Sequence, residues 1–100
     1  MKVSNMTSSN GKTIANQFII EEEGRGALGN FLTRQTFQSY NSVIAIKTTW
    51  NDSVRVRLDR SKWDYSTTTG KYRNIFLGET KKETEKKISS GEYILTDLNS

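Results

Sequence analysis

The chain has 100 residues, a net charge of +4, no cysteine and no histidine, and only 33% of its residues are hydrophobic. That length makes one domain, 1–100, around a single core. The missing residue types exclude a disulfide framework, thiolate chemistry, the usual general base and the usual zinc ligand.

In chain order, the first signal is Asn10-Gly11, between "KVSNMTSS" and "KTIANQFIIEEE". Both residues tolerate positive φ, so the pair predicts a hairpin. Phe18, Ile19 and Ile20 form a short apolar run suited to a strand covered on both faces. Three glycines between Gly24 and Gln35 predict a loop. "TFQSYNSVIAIKTTW" follows as one β-branched, aromatic strand, with Asn51-Asp52 turning into "SVRVRLD". There Val54, Val56 and Leu58 alternate with Arg55, Arg57 and Asp59, the pattern of a strand with one wet face.

The period then changes. Ser66 or one of the next threonines caps a helix that carries Tyr72, Ile75 and Phe76 on one side and ends at Gly78. Thr80 and Glu83 form a T-x-x-E capping box for a second helix, closed by Gly91, with Glu83 and Lys87 placed for an i, i+4 pair. Its inward stripe is only Thr84 and Ile88, so it lies on the surface. "EYILTDL" returns as a strand. The fold class expected is α+β: a small, mostly antiparallel sheet with two short helices before the last strand. With 31 Ser, Thr and Asn residues the core is thin, and a homo-oligomer is a natural way to cover more of it.

Three stretches imitate catalytic motifs. "GRGALG" matches G-x-G-x-x-G, but no helix opens at its third glycine and Glu21, Glu22 and Glu23 beside it repel phosphate. "GKT" at Gly11 to Thr13 lacks the earlier glycine of a phosphate loop, because Met6 stands in its place. Asp64 with Glu79 and Lys81 gives the D…E-x-K order of a metal-dependent nuclease. Here E-x-K falls at a helix start, where the macrodipole accounts for Glu79 and Glu83. The expectation is a protein that is not an enzyme, with no catalytic residues, no metal and no cofactor.

The charge is concentrated. Arg55, Arg57, Arg60, Lys62, Lys71 and Arg73 face only Asp59 and Asp64 over that stretch, an excess equal to the net charge of the whole chain. A local basic patch points to an anionic partner. Lys71 and Arg73 are expected to point outward near a helix N-terminus whose free N–H groups attract anions. Trp63 and Tyr65 either stack on a base or, with Tyr72 and Phe76, knit the helix to the sheet. The candidate binding residues are therefore Arg55, Arg57, Arg60, Lys62, Trp63, Tyr65, Lys71 and Arg73.

"WDYSTTTGKYRNIFLG" followed by "KETEKKISSGEY" resembles small uncharacterised proteins of bacteriophages and other mobile elements, in which a W-D-Y-S-x-T-T-x-K-Y-x₃-F-L-G core precedes a K-E-T-x-K-K-I-x-S-G-E-Y segment. The resemblance implies a genomic setting and carries over no catalytic residue. It points to a phage-type binding protein that inhibits a host defence or nucleic-acid-handling complex, such as a CRISPR effector. Its partner would be a host protein or ribonucleoprotein. The alternatives are direct nucleic-acid binding through the basic stretch and an oligomer that sequesters a nucleotide signal. No apolar run reaches membrane-spanning length and the N-terminus has no signal-peptide apolar segment, so the expected location is the cytoplasm of a host bacterial cell, away from membranes.

Overall fold

The computed structural model describes residues 1–8, 10–24, 32–51 and 53–99. Among these the strands are β1 (Lys2–Thr7), β2 (Thr13–Glu23), β3 (Thr33–Ser39), β4 (Ser42–Thr49), β5 (Val54–Asp59) and β6 (Tyr93–Thr96). The helices are α1 (Thr67–Leu77) and α2 (Lys81–Ser90). The strands form one sheet in sequence order. Each neighbouring pair is antiparallel except β5–β6, which is parallel. A parallel neighbour needs a long crossover, and the segment holding both helices supplies it. This is the small, mostly antiparallel α+β fold with two helices before the last strand.

The hairpin at Asn10-Gly11 forms with Gly11 at φ +83°, and the amide of Ser8 donates to the carbonyl of Lys12. The single strand expected between Thr36 and Trp50 is instead two strands. They reverse at Tyr40-Asn41, where Tyr40 takes φ +54°, a conformation that sequence reasoning does not expect of a tyrosine. The glycine-rich loop is also shorter than expected, because Thr33, Arg34 and Gln35 pair with β2 and β4. "GRGALG", Gly24 apart, and Asp52 of the expected Asn51-Asp52 turn lie outside the described residues.

Both helices pack on one face of the sheet. The row Ile19, Phe37, Ala45, Leu58 and Leu95 runs across that face by successive register partners. Two buried clusters build on it: Ala45, Val56, Leu58 and Tyr93, and Met6, Phe37 and Ile44. Ile44 joins the second cluster through a bulge, since the register skips it between Phe37–Ala45 and Gln38–Val43. A regular strand would turn Ile44 away from the face of Ala45; the bulge lets two consecutive residues point inward. Phe18 and Ile20 lie on the opposite face and are only half-buried, so the run at residues 18–20 is not covered on both sides.

The first helix is capped by Ser66, whose side chain accepts from the amide of Thr69, and it ends at Gly78 in the left-handed region. Its buried stripe has helical spacing but is not wholly apolar: Thr69, Tyr72, Arg73 and Phe76 face inward, while Ile75, expected inside, is 52% exposed. The hydroxyl of Thr69 meets that of Ser39 at 3.2 Å and anchors the helix to the end of β3. The capping box at Thr80 and Glu83 is present. Phe76 touches both clusters, and its ring centroid lies 5.8 Å from that of Phe37. Phe76→Ala should therefore cost about 3 kcal/mol or more in urea unfolding, whereas Ile75→Ala should stay within about 0.5 kcal/mol of the parent.

Candidate functional site

The segment joining β5 to α1 carries most of the candidate residues, and a carboxylate shapes its start. The alternation of "VRVRLD" places Asp59 on the wet face, yet it is 3% exposed. One carboxylate oxygen accepts from the amides of Ser61 (3.2 Å) and Lys62 (2.9 Å), and the other from the amide of Leu98 (2.8 Å). Asp59 thus fastens the turn after β5 to the chain leaving β6.

Beyond that turn the indole of Trp63 packs against the core cluster of Ala45, Val56, Leu58 and Tyr93. The guanidinium of Arg73 stacks over it with 5.1 Å to the ring centroid. Arg73 is 1% exposed, so the expectation that it points outward is wrong. Its Nη1 donates to the carbonyl oxygen of Trp63 (2.7 Å) and to Asp64 (3.0 Å), and its Nη2 donates to the Asn74 side chain (2.9 Å). Position 73 follows Thr69 by four residues and precedes Phe76 by three, which places it on the inward stripe. A buried cation is tolerable there because a carboxylate, a carbonyl and an aromatic face meet it.

The second oxygen of Asp64 accepts from Lys81 at 2.7 Å, so one carboxylate ties the start of α2 to the inward side of α1. Burial pushes the pKa of Asp64 up, but the hydrogen bonds and charges of Lys81 and Arg73 together outweigh it and leave the carboxyl below its ordinary value. Lys81 is held above its ordinary value, chiefly by the hydrogen bond to Asp64.

A second cluster was not anticipated from spacing. Glu79, 5% exposed at its side chain, accepts from Lys87 (2.8 Å), the Tyr93 hydroxyl (2.9 Å) and the Thr84 hydroxyl. Lys87 therefore pairs with Glu79 and not with Glu83, whose carboxylate is committed to the capping box. Burial raises the Glu79 carboxyl, while its three donors and the Lys87 charge carry it below the ordinary value. Burial first, and then the bond to Glu79, push Tyr93 up to about 12. The nuclease order is not assembled: Lys81 sits on Asp64, but Glu79 faces Thr84, Lys87 and Tyr93. Among the described residues no group of three or more His, Cys, Asp or Glu is placed to hold a metal.

The eight candidates do not form one patch. Val56 and Leu58 point into the core, so Arg55 and Arg57 lie on the sheet face opposite the helices. Arg60 is exposed at the end of β5, with its guanidinium 3.4 Å from the carbonyl oxygen of Leu95. Trp63 and Arg73 are structural. What remains on the helix side is Lys62 over the exposed ring of Tyr65 (5.0 Å) and Lys71 over Tyr72 (5.4 Å). Tyr65 and Lys71 border an open groove of about 630 Å³ beside the first turn of α1, with Ser66, Thr67 and Gly70 at its edge and Asp64, Arg73 and Lys81 among its lining. The lining carries three cations and one carboxylate, and that carboxylate is engaged by two of the three.

Two outcomes follow from the buried charges. Arg73→Ala should lower stability by about 3 kcal/mol or more, because Asp64 and the Trp63 carbonyl lose their partner; chemical unfolding measures it. For the carboxyls, a folded pKa below the unfolded one gives stability that is complete above the unfolded value and is lost as pH falls through the folded one. The melting temperature should therefore drop below about pH 4. Asp64→Asn and Glu79→Gln should each start lower at neutral pH and shrink that drop. A melting temperature flat down to about pH 3 would contradict the pairing.

The profile of a family of unknown function, DUF8033, matches residues 1–92. Neither the curated proteins nor the solved structures include a match to the chain.

Proposed function

For a chain that belongs to the DUF8033 family, we propose the role of a non-catalytic binding protein that recognises an anionic surface on its partner through the groove beside α1. The observation that carries this reading is the charge of the groove. Its one carboxylate, Asp64, is neutralised from within by Arg73 and Lys81, so Lys71 has no free carboxylate in the lining, and Lys62 adds a cation next to it over the ring of Tyr65. The hydroxyl of Thr67 and the free first amides of α1 offer donors of the same polarity. An exposed tyrosine beside two lysines suits an interface that combines stacking with charge.

The partner class follows from the bacteriophage resemblance of the "WDYSTTTGKYRNIFLG" stretch. On that reading the protein blocks a host defence or nucleic-acid-handling complex stoichiometrically. Direct nucleic-acid binding is the second reading, but the six cations that favour it divide between the two sides of the sheet, with Arg73 sealed inside. No helix among the described residues is long and apolar enough to cross a membrane.

Lys62→Glu combined with Lys71→Glu tests the groove, since neither residue holds the fold. The double variant should melt like the parent and lose inhibition of, or binding to, a reconstituted host complex. Fluorescence anisotropy with generic single- and double-stranded DNA and RNA separates the two readings. Salt-sensitive binding of the parent at or below about 100 µM in low salt, lost in the double variant, favours nucleic acid. A folded double variant with full inhibitory activity would remove the groove from the function.

A further inference from the structure

The sheet face opposite the helices has a pattern that only the register reveals. Val3, Ile20, Thr36, Ile46, Arg57 and Ile94 are successive partners across all six strands. They form one transverse row, four of its six residues being aliphatic. Val3 is 56% and Ile94 48% exposed, and Ile20 and Ile46 are only half-buried. Beside it runs a polar row, Glu22, Arg34, Thr48 and Arg55, again by successive partners. Among the described residues no strand or helix packs on this face. A row with four aliphatic residues across a sheet is unusual for a face left to water.

We propose that a second copy of the chain covers this face, packing sheet against sheet about a two-fold axis parallel to the strands and between β3 and β4. The rows themselves argue for that occupant. Such an axis keeps each row on its own level and reverses strand order, so β1 lies over β6, β2 over β5 and β3 over β4. Val3 then meets Ile94 of the partner subunit, and Thr36 meets Ile46 of the partner subunit. Ile20 lies under Arg57 of the partner subunit, whose aliphatic stem covers it. In the polar row Glu22, which also lies 3.6 Å from Arg34 of its own chain, faces Arg55 of the partner subunit, and the symmetry makes this contact twice. A two-fold axis along the aliphatic row would instead set Arg57 on its own copy, which like charge disfavours. Nucleic acid, the other occupant that arginines suggest, gains nothing from four aliphatic side chains.

The size is sufficient. Six strands at about 4.8 Å spacing and five or six residues of strand give on the order of 500 Å² in projection and more in accessible surface. Standard interfaces bury about 800 Å² per partner. The resulting sandwich has its sheets inside and its helices outside, so both α1 grooves face outward. The proposal does not depend on the groove reading.

Sedimentation velocity across a concentration series tests it, with the two charge-reversed chains Glu22→Arg and Arg55→Glu run alone and mixed. The parent should dimerise. Each variant alone should associate at least about tenfold more weakly, because a partner contact becomes a repulsion twice over. An equimolar mixture should recover the dimer, since both contacts are then between opposite charges. Ile94→Glu, at an already exposed position, should also give a monomer while keeping the parent's circular dichroism, and Lys62→Glu with Lys71→Glu should leave the dimer intact. A parent that stays monomeric at high micromolar concentration overturns the proposal. So does a dimer that survives Ile94→Glu, a mixture that fails to recover, or a monomer whose Arg55 binds single-stranded DNA.

Discussion

Arg73 is the residue on which the helix side of this protein depends. Its guanidinium lies between the core-packed indole of Trp63 and the carboxylate of Asp64, inside a helix stripe otherwise occupied by Thr69, Tyr72 and Phe76. A buried cation is costly to desolvate unless several groups meet it. Here they come from the preceding segment and from α1 itself, and Asp64 also accepts from Lys81 at the start of α2. Packing alone holds α2 weakly, because it contributes little apolar surface beyond Ile88. The ion network fixes how the two helices meet.

The same device recurs at two other places. Asp59 ties the turn after β5 to the chain after β6, and Glu79 ties α2 to β6 through Lys87 and Tyr93. A small core leaves the fold to be closed by hydrogen-bonded carboxylates, each accepting several donors. This has an electrostatic consequence. Asp64 and Glu79 take up Arg73, Lys81 and Lys87, so the groove's remaining lysine, Lys71, meets no free carboxylate in its lining. The positive rim of the α1 groove comes from Lys71, with Lys62 beside it over the ring of Tyr65.

The two faces of the sheet differ for a simple reason. Both helices belong to the crossover that makes β6 parallel to β5, and a single crossover covers a single face. The opposite face keeps whatever its strands present, including one mainly aliphatic row and one mainly charged row. Arg55 and Arg57 belong to that face and the groove lysines to the other. The protein therefore has two separate surfaces, one cationic and hydroxylated, the other largely aliphatic with a row of charges.

Local chemistry made much of this legible in the sequence. Asn10-Gly11, the Ser66 cap, the Thr80–Glu83 box, and Gly78 and Gly91 are decided within a few residues by backbone preference and side-chain-to-backbone bonds, so they form as expected. The alternation of Val54 to Leu58 correctly puts Val56 and Leu58 in the core, although Val54 on the same side stays exposed; at Asp59 three amide donors override the pattern. What the sequence could not determine depends on groups distant along the chain. Tyr40 reverses the backbone and Ile44 bulges into the core because the strands on either side hold them there. Arg73 turns inward because Trp63 and Asp64 are waiting, and Lys87 reaches Glu79 because Glu83 is occupied by the cap. A charged side chain's direction is set by the partners that tertiary structure brings within hydrogen-bonding distance, and its place in the chain does not reveal them.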